Sequence, residues 1–201
     1  MHLLNLLKSE AVKRDLIDPS LELDPVTVFL LVRDMPYQRA SDRRPETTIA
    51  EWRGTCSGKH YLLQALFAEL GLPSKLIACT TVEPVDPAEI PPSLKSLYEA
   101  ANRRFVDVHN YLLVTVPDDG QMVVDATFPL SARKSGMVVN ETFVLGQDQQ
   151  IAAKPLEAWI IPPERDAQDF KDELLQKHFT PAELEFREVV IAALSCGTFS
   201  E

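Results

Sequence analysis

The chain has 201 residues, 45% of them hydrophobic and 25% charged, a balance typical of one globular domain rather than of a disordered segment. Its 20 basic and 30 acidic residues leave a net charge of −10, and so acidic a surface repels phosphate backbones, which excludes nucleic acid as an expected partner. Only seven glycines are present, which leaves little room for a glycine-rich phosphate loop.

Cysteine usage and hydropathy bear on the compartment. Cys56, Cys79 and Cys196 are too few and odd in number for a disulfide framework, which favours a reducing environment. The N-terminus lacks the basic segment, apolar core and cleavage site of a signal peptide. The longest apolar stretch, residues 26–32, is far shorter than the roughly 20 residues that a membrane-spanning helix needs. The sequence therefore predicts a cytoplasmic protein with no membrane partner, and it leaves the oligomeric state open.

The first part of the chain has helical patterns. Residues 1–17 predict a short helix with an apolar stripe that includes Leu7 and Leu16. Asp24-Pro25, an N-cap residue followed by a first-turn proline, predicts a second helix over residues 25–34. Residues 36–50 are polar and charged, and we expect them to form an exposed loop.

A longer helix and a hairpin are predicted next. Leucine and phenylalanine recur at intervals of three and four from Thr55 to Leu70, which indicates a helix, and Lys75 to Val82 predicts a buried strand. Phe105 to Val116 is a long β-rich run. Pro117-Asp118-Asp119-Gly120 is a turn signature in which glycine supplies a positive φ. A second strand over residues 121–127 completes the hairpin.

Shorter elements are expected between and after these. Residues 93–104 predict a helix, and residues 165–196 predict the C-terminal helices. Thr180-Pro181-Ala182-Glu183 is a capping box with proline at the first helical position. We expect Trp159 and Pro162-Pro163 to belong to a packed loop.

Cys56, His109 and Asp125 form the constellation that could carry chemistry. Cys56 lies in Gly54-Thr55-Cys56-Ser57-Gly58, where a helix begins, and the helix dipole with its unpaired N–H groups favours the nucleophilic thiolate there. The glycines and Ser57 should keep this position open and polar. His109 lies in the first strand of the hairpin and Asp125 near the end of the second. A carboxylate so placed can hold the imidazole in one tautomer and stabilise the imidazolium.

The hairpin register decides whether this pair can meet. Side chains of a strand alternate between its two faces, so His109 and Asp125 share a face only if paired residues have an even index sum. Pairing Thr115 with Gln121 meets this condition and sets Asp125 opposite Tyr111 and diagonal to His109. A slip of one residue would separate the two side chains.

Three motifs carry a resemblance to a known family. Gly-Thr-Cys-Ser-Gly at residues 54–58, His-Asn-Tyr at residues 109–111 and Asp-Ala-Thr-Phe-Pro at residues 125–129 resemble the transglutaminase-like superfamily. That superfamily shares a cysteine-protease-like core with arylamine N-acetyltransferases and peptide N-glycanases. The resemblance covers residues 51–129. It implies an α+β fold, in which a cysteine-bearing helix packs on an antiparallel sheet, and the elements predicted above agree with it.

The resemblance also implies roles. Cys56 would be the nucleophile, His109 the general base and acid, and Asp125 the residue that orients the imidazole. The whole chain, residues 1–201, would be a single domain in which helices over residues 1–35 and 165–196 are added to the core.

The oxyanion site departs from the family pattern. Ala50 stands six residues before the cysteine, where a papain-like enzyme would carry a glutamine. Trp52 and Gln38 are the candidate donors, together with the backbone N–H of Cys56.

Four residues in or near the proposed triad allow a second interpretation. Cys56 could be a small buried hydrophobic residue. Asp107 precedes His109 by two positions on the same strand face and is a rival orienting group. His60 follows Cys56 by one helical turn and is expected to be structural, because one cysteine and one histidine cannot supply the four ligands of a structural zinc site. Lys59 is expected to be solvated, although its charge would favour a thiolate.

These observations predict a thiol acyltransferase or amide hydrolase that forms an acyl-enzyme on Cys56 and passes the acyl group to an amine or to water. The expected substrate is a peptide or protein amide, or a small amide or thioester, and the scheme requires no metal or cofactor. The alternative is a non-catalytic member of the superfamily that binds a peptide or protein in the same cleft.

Overall fold

The computed structural model describes residues 2–117 and 120–196, which form seven α-helices and one four-stranded antiparallel sheet. The helices and strands in these residues are α1 (Leu3–Lys13), α2 (Pro25–Asp34), α3 (Pro45–Glu51), α4 (Cys56–Glu69), β1 (Ser74–Pro84), α5 (Lys95–Ala100), β2 (Arg104–Val116), β3 (Gly120–Val124), β4 (Glu157–Ile160), α6 (Ala167–His178) and α7 (Pro181–Cys196). The strand order is β3-β2-β1-β4, and the expected α+β fold is confirmed. None of the described helices is long and apolar enough to cross a membrane.

The chain divides into two compact units. The first unit comprises residues 1–76 and 110–152, and it contains α1 to α4, β3 and the second half of β2. The second unit comprises residues 77–109 and 153–201, and it contains α5, α6, α7, β4 and most of β1. Strands β1 and β2 thus contribute residues to both units.

In the first unit, local signals set the helix ends. The Asp24 side chain accepts a hydrogen bond of 2.7 Å from the backbone N–H of Thr27, and Pro25 is the first residue of α2, as predicted. The helix expected over residues 1–17 is shorter. It ends at Lys13 because Asp15 adopts φ +55°, and Leu16 is half-exposed instead of lying on a buried stripe.

The exposed loop expected over residues 36–50 is wrong in its second half. Helix α3 begins at Pro45, in the first helical position where proline is favoured. Thr48 and Ile49 are fully buried, because α3 packs against α1 and α4. Arg43, Arg44 and Glu46 are exposed, and these charged residues concealed the apolar face of the short helix in the sequence.

Helix α4 supplies much of the first unit's core. It packs against α1, α2 and α3, and its predicted apolar face is confirmed. The Phe67 ring lies 5.8 Å from that of Phe143, which in turn stacks on Phe29 at 5.0 Å. The fully buried residues of this face are Leu62, Leu63, Leu66 and Phe67.

The hairpin has the predicted register. Thr115 pairs with Gln121 in the antiparallel ladder between β2 and β3. Gly120 adopts φ +82°, the left-handed conformation for which glycine is suited. Strand β3 ends at Val124, short of the predicted residue 127, while Asp118 and Asp119 of the predicted turn lie outside the described residues.

The second unit holds a strand that the sequence did not indicate. Trp159, expected in a packed loop, lies in β4 and pairs with Ala78 of β1. This strand has four residues, too few for alternation to be recognised. The helix predicted over residues 93–104 is also shorter, because Asn102 and Arg103 adopt positive φ angles after α5.

The capping box that begins α7 is confirmed. The backbone N–H of Thr180 donates to Glu183 Oε2 at 2.8 Å, and the Glu183 N–H donates to Thr180 Oγ1 at 3.4 Å. Burial would raise the pKa of Glu183, but hydrogen bonds from Thr180, Asn102 and Arg104 outweigh it and lower the pKa to about 2. This carboxylate therefore links α7 to Asn102 and to Arg104, the first residue of β2.

Candidate functional site

Cys56 is the first residue of α4, as the sequence predicted. The N-cap residue Thr55 has extended backbone and makes no side-chain capping bond. Cys56 Sγ lies 4.0 Å from Ser57 Oγ, and that hydroxyl donates to Asn110 Oδ1 of β2 at 2.9 Å. The expectation of an open site is wrong: Cys56 is only 2% exposed and Ser57 only 1% exposed. The surroundings of the thiol are polar but enclosed.

Asp125 is a buried carboxylate held by backbone donors in the first unit. Its Oδ1 accepts from the N–H of Thr127 at 2.9 Å, and its Oδ2 accepts from the N–H of Ala152 at 2.8 Å. Its own N–H donates to Gln149 Oε1, and its carbonyl accepts from Asn140 Nδ2. These bonds fix the orientation of the carboxylate, although the residue lies just beyond the end of β3.

His60 connects the first turn of α4 to the residue after Asp125. Its Nε2 accepts a hydrogen bond of 2.9 Å from the N–H of Ala126, so the proton of the neutral ring is on Nδ1. Nδ1 then donates to the carbonyl oxygen of Cys56 at 2.7 Å. Asp125 Oδ1 lies 3.6 Å from Nε2. His60 is fully buried, which agrees with the structural role expected for it.

Lys59 is fully buried, so the expectation of a solvated lysine is wrong. Its Nζ donates to the carbonyl oxygens of Arg33 at 2.9 Å and Thr127 at 3.0 Å. Burial lowers the pKa of Lys59 to about 7, although the negative charges of Asp34 and Asp125 oppose the shift. Nothing in the sequence around Lys59 indicated that this charged residue, three positions after Cys56, would be buried.

The absence of a side chain at Gly54 leaves room for the buried stem of Lys59. A Cβ atom on Gly54 would lie 3.2 Å from Lys59 Cγ and 3.3 Å from Thr48 Cγ2. The Lys59 stem and α3 therefore occupy the space that a side chain would need. Here glycine serves the packing of the lysine rather than the approach of a substrate.

His109 lies on β2 in the second unit, and is only 4% exposed. Asp107, its rival partner in the sequence, is engaged by cations of the C-terminal helices. Asp107 Oδ1 accepts from Arg187 Nε and Nη2, each at 2.7 Å, and lies 3.6 Å from Lys171 Nζ. Burial would raise the pKa of Asp107, but Lys171 and Arg187 outweigh it and hold the pKa below its usual value.

The two oxyanion candidates lie near the start of α4 in sequence and belong to the first unit. Trp52 caps the end of α3 with φ +52°, and the Arg14 guanidinium lies 5.0 Å from the centre of its ring. Gln38 is half-buried, and its backbone N–H donates to the Pro36 carbonyl. Their role as oxyanion donors stays a prediction.

A polar cavity of about 260 Å³ lies beside the start of α4. It touches residues on either side of Cys56 but not the thiol itself. Its lining consists of Arg39, Ala40, Ser41, Asp42, Arg43, Gly54, Thr55 and Gly58. Among the residues that the structure describes, no three His, Cys, Asp or Glu side chains are grouped as a metal site requires.

Comparison of the chain with protein-family models, with curated proteins and with solved structures found no match.

Proposed function

We propose that this protein is a cysteine-dependent acyl-transfer enzyme with a transglutaminase-like core. Cys56 is the nucleophile, His109 the general base and acid, and Asp125 the group that orients the imidazole. The substrate is an amide or thioester, and the acceptor is an amine or water. The observation that carries this proposal is the position of Cys56 as the first residue of a 14-residue helix.

A helix start supports a nucleophilic cysteine for an electrostatic reason. The first backbone N–H groups of a helix have no partner within it, and the aligned peptide dipoles place partial positive charge there. Both features stabilise a thiolate relative to a thiol. The confirmed pairing of Thr115 with Gln121 also supports the proposal, because it is the register that is required if His109 and Asp125 are to share a face.

The proposed reaction has two halves, acylation and deacylation of Cys56, and His109 transfers one proton in each. His109 takes the thiol proton as Cys56 Sγ bonds to the carbonyl carbon, which forms a tetrahedral oxyanion. His109 then gives this proton to the leaving amine or thiol as the carbon–nitrogen or carbon–sulfur bond breaks. In the second half, His109 takes a proton from the incoming amine or water and returns it to Sγ when the acyl group leaves.

Alkylation of Cys56 tests the proposal. The rate of reaction with iodoacetamide is measured against pH for the wild type, His109→Ala and Asp125→Asn, with Cys56 identified by peptide mass. We expect a wild-type midpoint clearly below the value of about 8.5 for a free thiol. His109→Ala should move the midpoint towards that value, and Asp125→Asn should do so less, because the imidazole is misoriented rather than removed. Three coinciding curves with an ordinary midpoint would refute the enzyme.

A non-catalytic peptide-binding or protein-binding module is the second candidate. The 2% exposure of Cys56 favours it, because a thiol so enclosed is poorly placed to meet a large substrate. An intact-mass screen with amides and thioesters distinguishes the two candidates. The enzyme should gain an acyl adduct that Cys56→Ser lacks, whereas a binding module should gain none.

A further inference from the structure

Two consecutive residues of α4 reach the same short segment of chain. Lys59 Nζ donates to the carbonyl oxygen of Thr127 at 3.0 Å, and His60 Nε2 accepts from the N–H of Ala126 at 2.9 Å. Both side chains are fully buried. Ala126 and Thr127 immediately follow Asp125, so two side chains of the cysteine-bearing helix hold the residues that carry the carboxylate.

The same two side chains also reach back to the cysteine and to α2. His60 Nδ1 donates to the Cys56 carbonyl at 2.7 Å, and Lys59 Nζ donates to the Arg33 carbonyl at 2.9 Å. On the other side, the Thr127 N–H donates to Asp125 Oδ1 at 2.9 Å. A continuous path of buried hydrogen bonds therefore runs from the first turn of α4 to the Asp125 carboxylate.

We propose that Lys59 and His60 are positioning residues, which clamp the segment after Asp125 to the first turn of α4 and so fix the carboxylate relative to Cys56. We call Lys59, His60, Ala126 and Thr127 the clamp. This inference rests on the proposed function for its catalytic consequence, but the clamp itself is defined by contacts within the first unit. Neither side chain needs to touch a substrate.

Both clamp residues suit this task chemically. A lysine ammonium presents three donors on a flexible stem, so it can bond two carbonyl oxygens from different segments. A neutral imidazole has one donor and one acceptor on opposite sides of a rigid ring. It thus sets a fixed spacing between the Cys56 carbonyl and the Ala126 N–H. Displacement of a reacting group by about 1 Å can cost about 100-fold in rate, which is why such spacing matters.

Hydrogen exchange tests the clamp without any activity. Amide exchange of Ala126 and Thr127 is measured by NMR in the wild type, Lys59→Met, His60→Gln and Leu66→Ala. Leu66→Ala is the matched control, because Leu66 is buried in the same helix but lies outside the clamp. We expect exchange to accelerate by about tenfold or more in the two clamp variants relative to the control. Acceleration no greater than in Leu66→Ala would overturn the clamp.

The wild type provides a measurement that does not depend on a variant folding. Nitrogen chemical shifts of the His60 ring should show a neutral ring with its proton on Nδ1. A proton on Nε2 would overturn the clamp, because that nitrogen could not then accept from Ala126.

Cys56 alkylation connects the clamp to the site. If the wild-type thiol is activated, Lys59→Met and His60→Gln should lower its rate at pH 7 by about tenfold or more, while Leu66→Ala stays within about twofold. Faster exchange with an unchanged alkylation rate would overturn the positioning role. A wild-type thiol that reacts like a free cysteine would instead refute the proposed function, while accelerated exchange would still establish the clamp.

Discussion

At the scale of single residues, Lys59 brings an ionisable group into an interior where both of its hydrogen-bond partners are neutral carbonyls. Carbonyl oxygens solvate an ammonium less well than water does, so burial lowers the pKa of Lys59 from 10.5 to about 7. Asp34 and Asp125 oppose the shift by their charges but do not reverse it. Near neutral pH, this helix therefore carries a lysine that is poised between its two protonation states.

The sign of the resulting pH dependence follows from linkage. Below pH 7 the folded and unfolded chains both hold the Lys59 proton, so this residue adds no pH dependence. Between pH 7 and about 10.5 the unfolded chain holds more of that proton, so stability rises with pH by up to about 1.4 kcal/mol per unit. Between pH 7 and pH 9, we expect the free energy of unfolding of the wild type to rise by roughly 2–3 kcal/mol relative to that of Lys59→Met.

Urea unfolding at a series of pH values measures this difference. Lys13→Met is the control, because the Lys13 side chain is 65% exposed. It should show no such trend against the wild type. A constant difference between the wild type and Lys59→Met across this range would mean that Lys59 has an ordinary pKa in the folded protein.

The site residues differ in how far the sequence could predict them. Cys56 at the helix start followed from the glycines around it and from the leucine spacing that comes after. The burial of Lys59 did not follow, because its partners are backbone carbonyls of Arg33 and Thr127, and a sequence contains no local signal for contacts so distant along the chain. The same reason hid the bond from Ala126 to His60.

At the scale of elements, α4 has the burial pattern that its sequence predicts, and Leu66, in its second half, has no exposed surface. Truncation of Leu66 to alanine removes buried methyl groups and leaves a cavity that the neighbouring helices can fill only in part. We expect Leu66→Ala to lower the free energy of unfolding by about 2–5 kcal/mol.

Urea unfolding measures this loss as a lower midpoint, while the dependence of the unfolding free energy on urea concentration stays the same. Leu16→Ala is the control, because Leu16 is 50% exposed and should change stability by less than about 0.5 kcal/mol. A loss below about 0.5 kcal/mol for Leu66→Ala would show that its face of α4 does not carry the core.

Two elements were not predicted from the sequence, and the physical reason is the same for both. Helix α3 has seven residues and β4 has four, so neither is long enough to display its period. Both are held by partners elsewhere in the chain: α3 by α1 and α4, and β4 by its ladder with β1. By contrast, α2, α4 and the capping box of α7 carry their start signals locally, and these starts were predicted correctly.

At the scale of the whole molecule, two strands belong to both compact units. Residues 74–76 of β1 and residues 110–116 of β2 lie in the first unit, and the rest of each strand lies in the second. A strand cannot lose its ladder over half its length without exposing the backbone groups of the next residues. This continuity favours unfolding of the two units in one cooperative transition.

The chain contains two tryptophans, which report on the two units separately. Trp52 belongs to the first unit, where Arg14 lies over its ring, and Trp159 belongs to the second, where its ring lies 5.3 Å from that of His178. Trp159→Phe leaves only the first reporter, and Trp52→Phe leaves only the second. Phenylalanine keeps an aromatic face in each place, so the two variants should differ little in stability.

We expect the urea unfolding curves of these two variants, followed by fluorescence, to have midpoints that coincide with each other and with circular dichroism at 222 nm. Leu66→Ala placed in each background supplies the sharper comparison. Because Leu66 lies in the first unit, a cooperative chain should shift both reporters equally, whereas independent units would shift only Trp52. Separate midpoints, or a shift confined to the Trp52 reporter, would show that the strands shared by the two units do not couple them and that the chain is not a single folding domain.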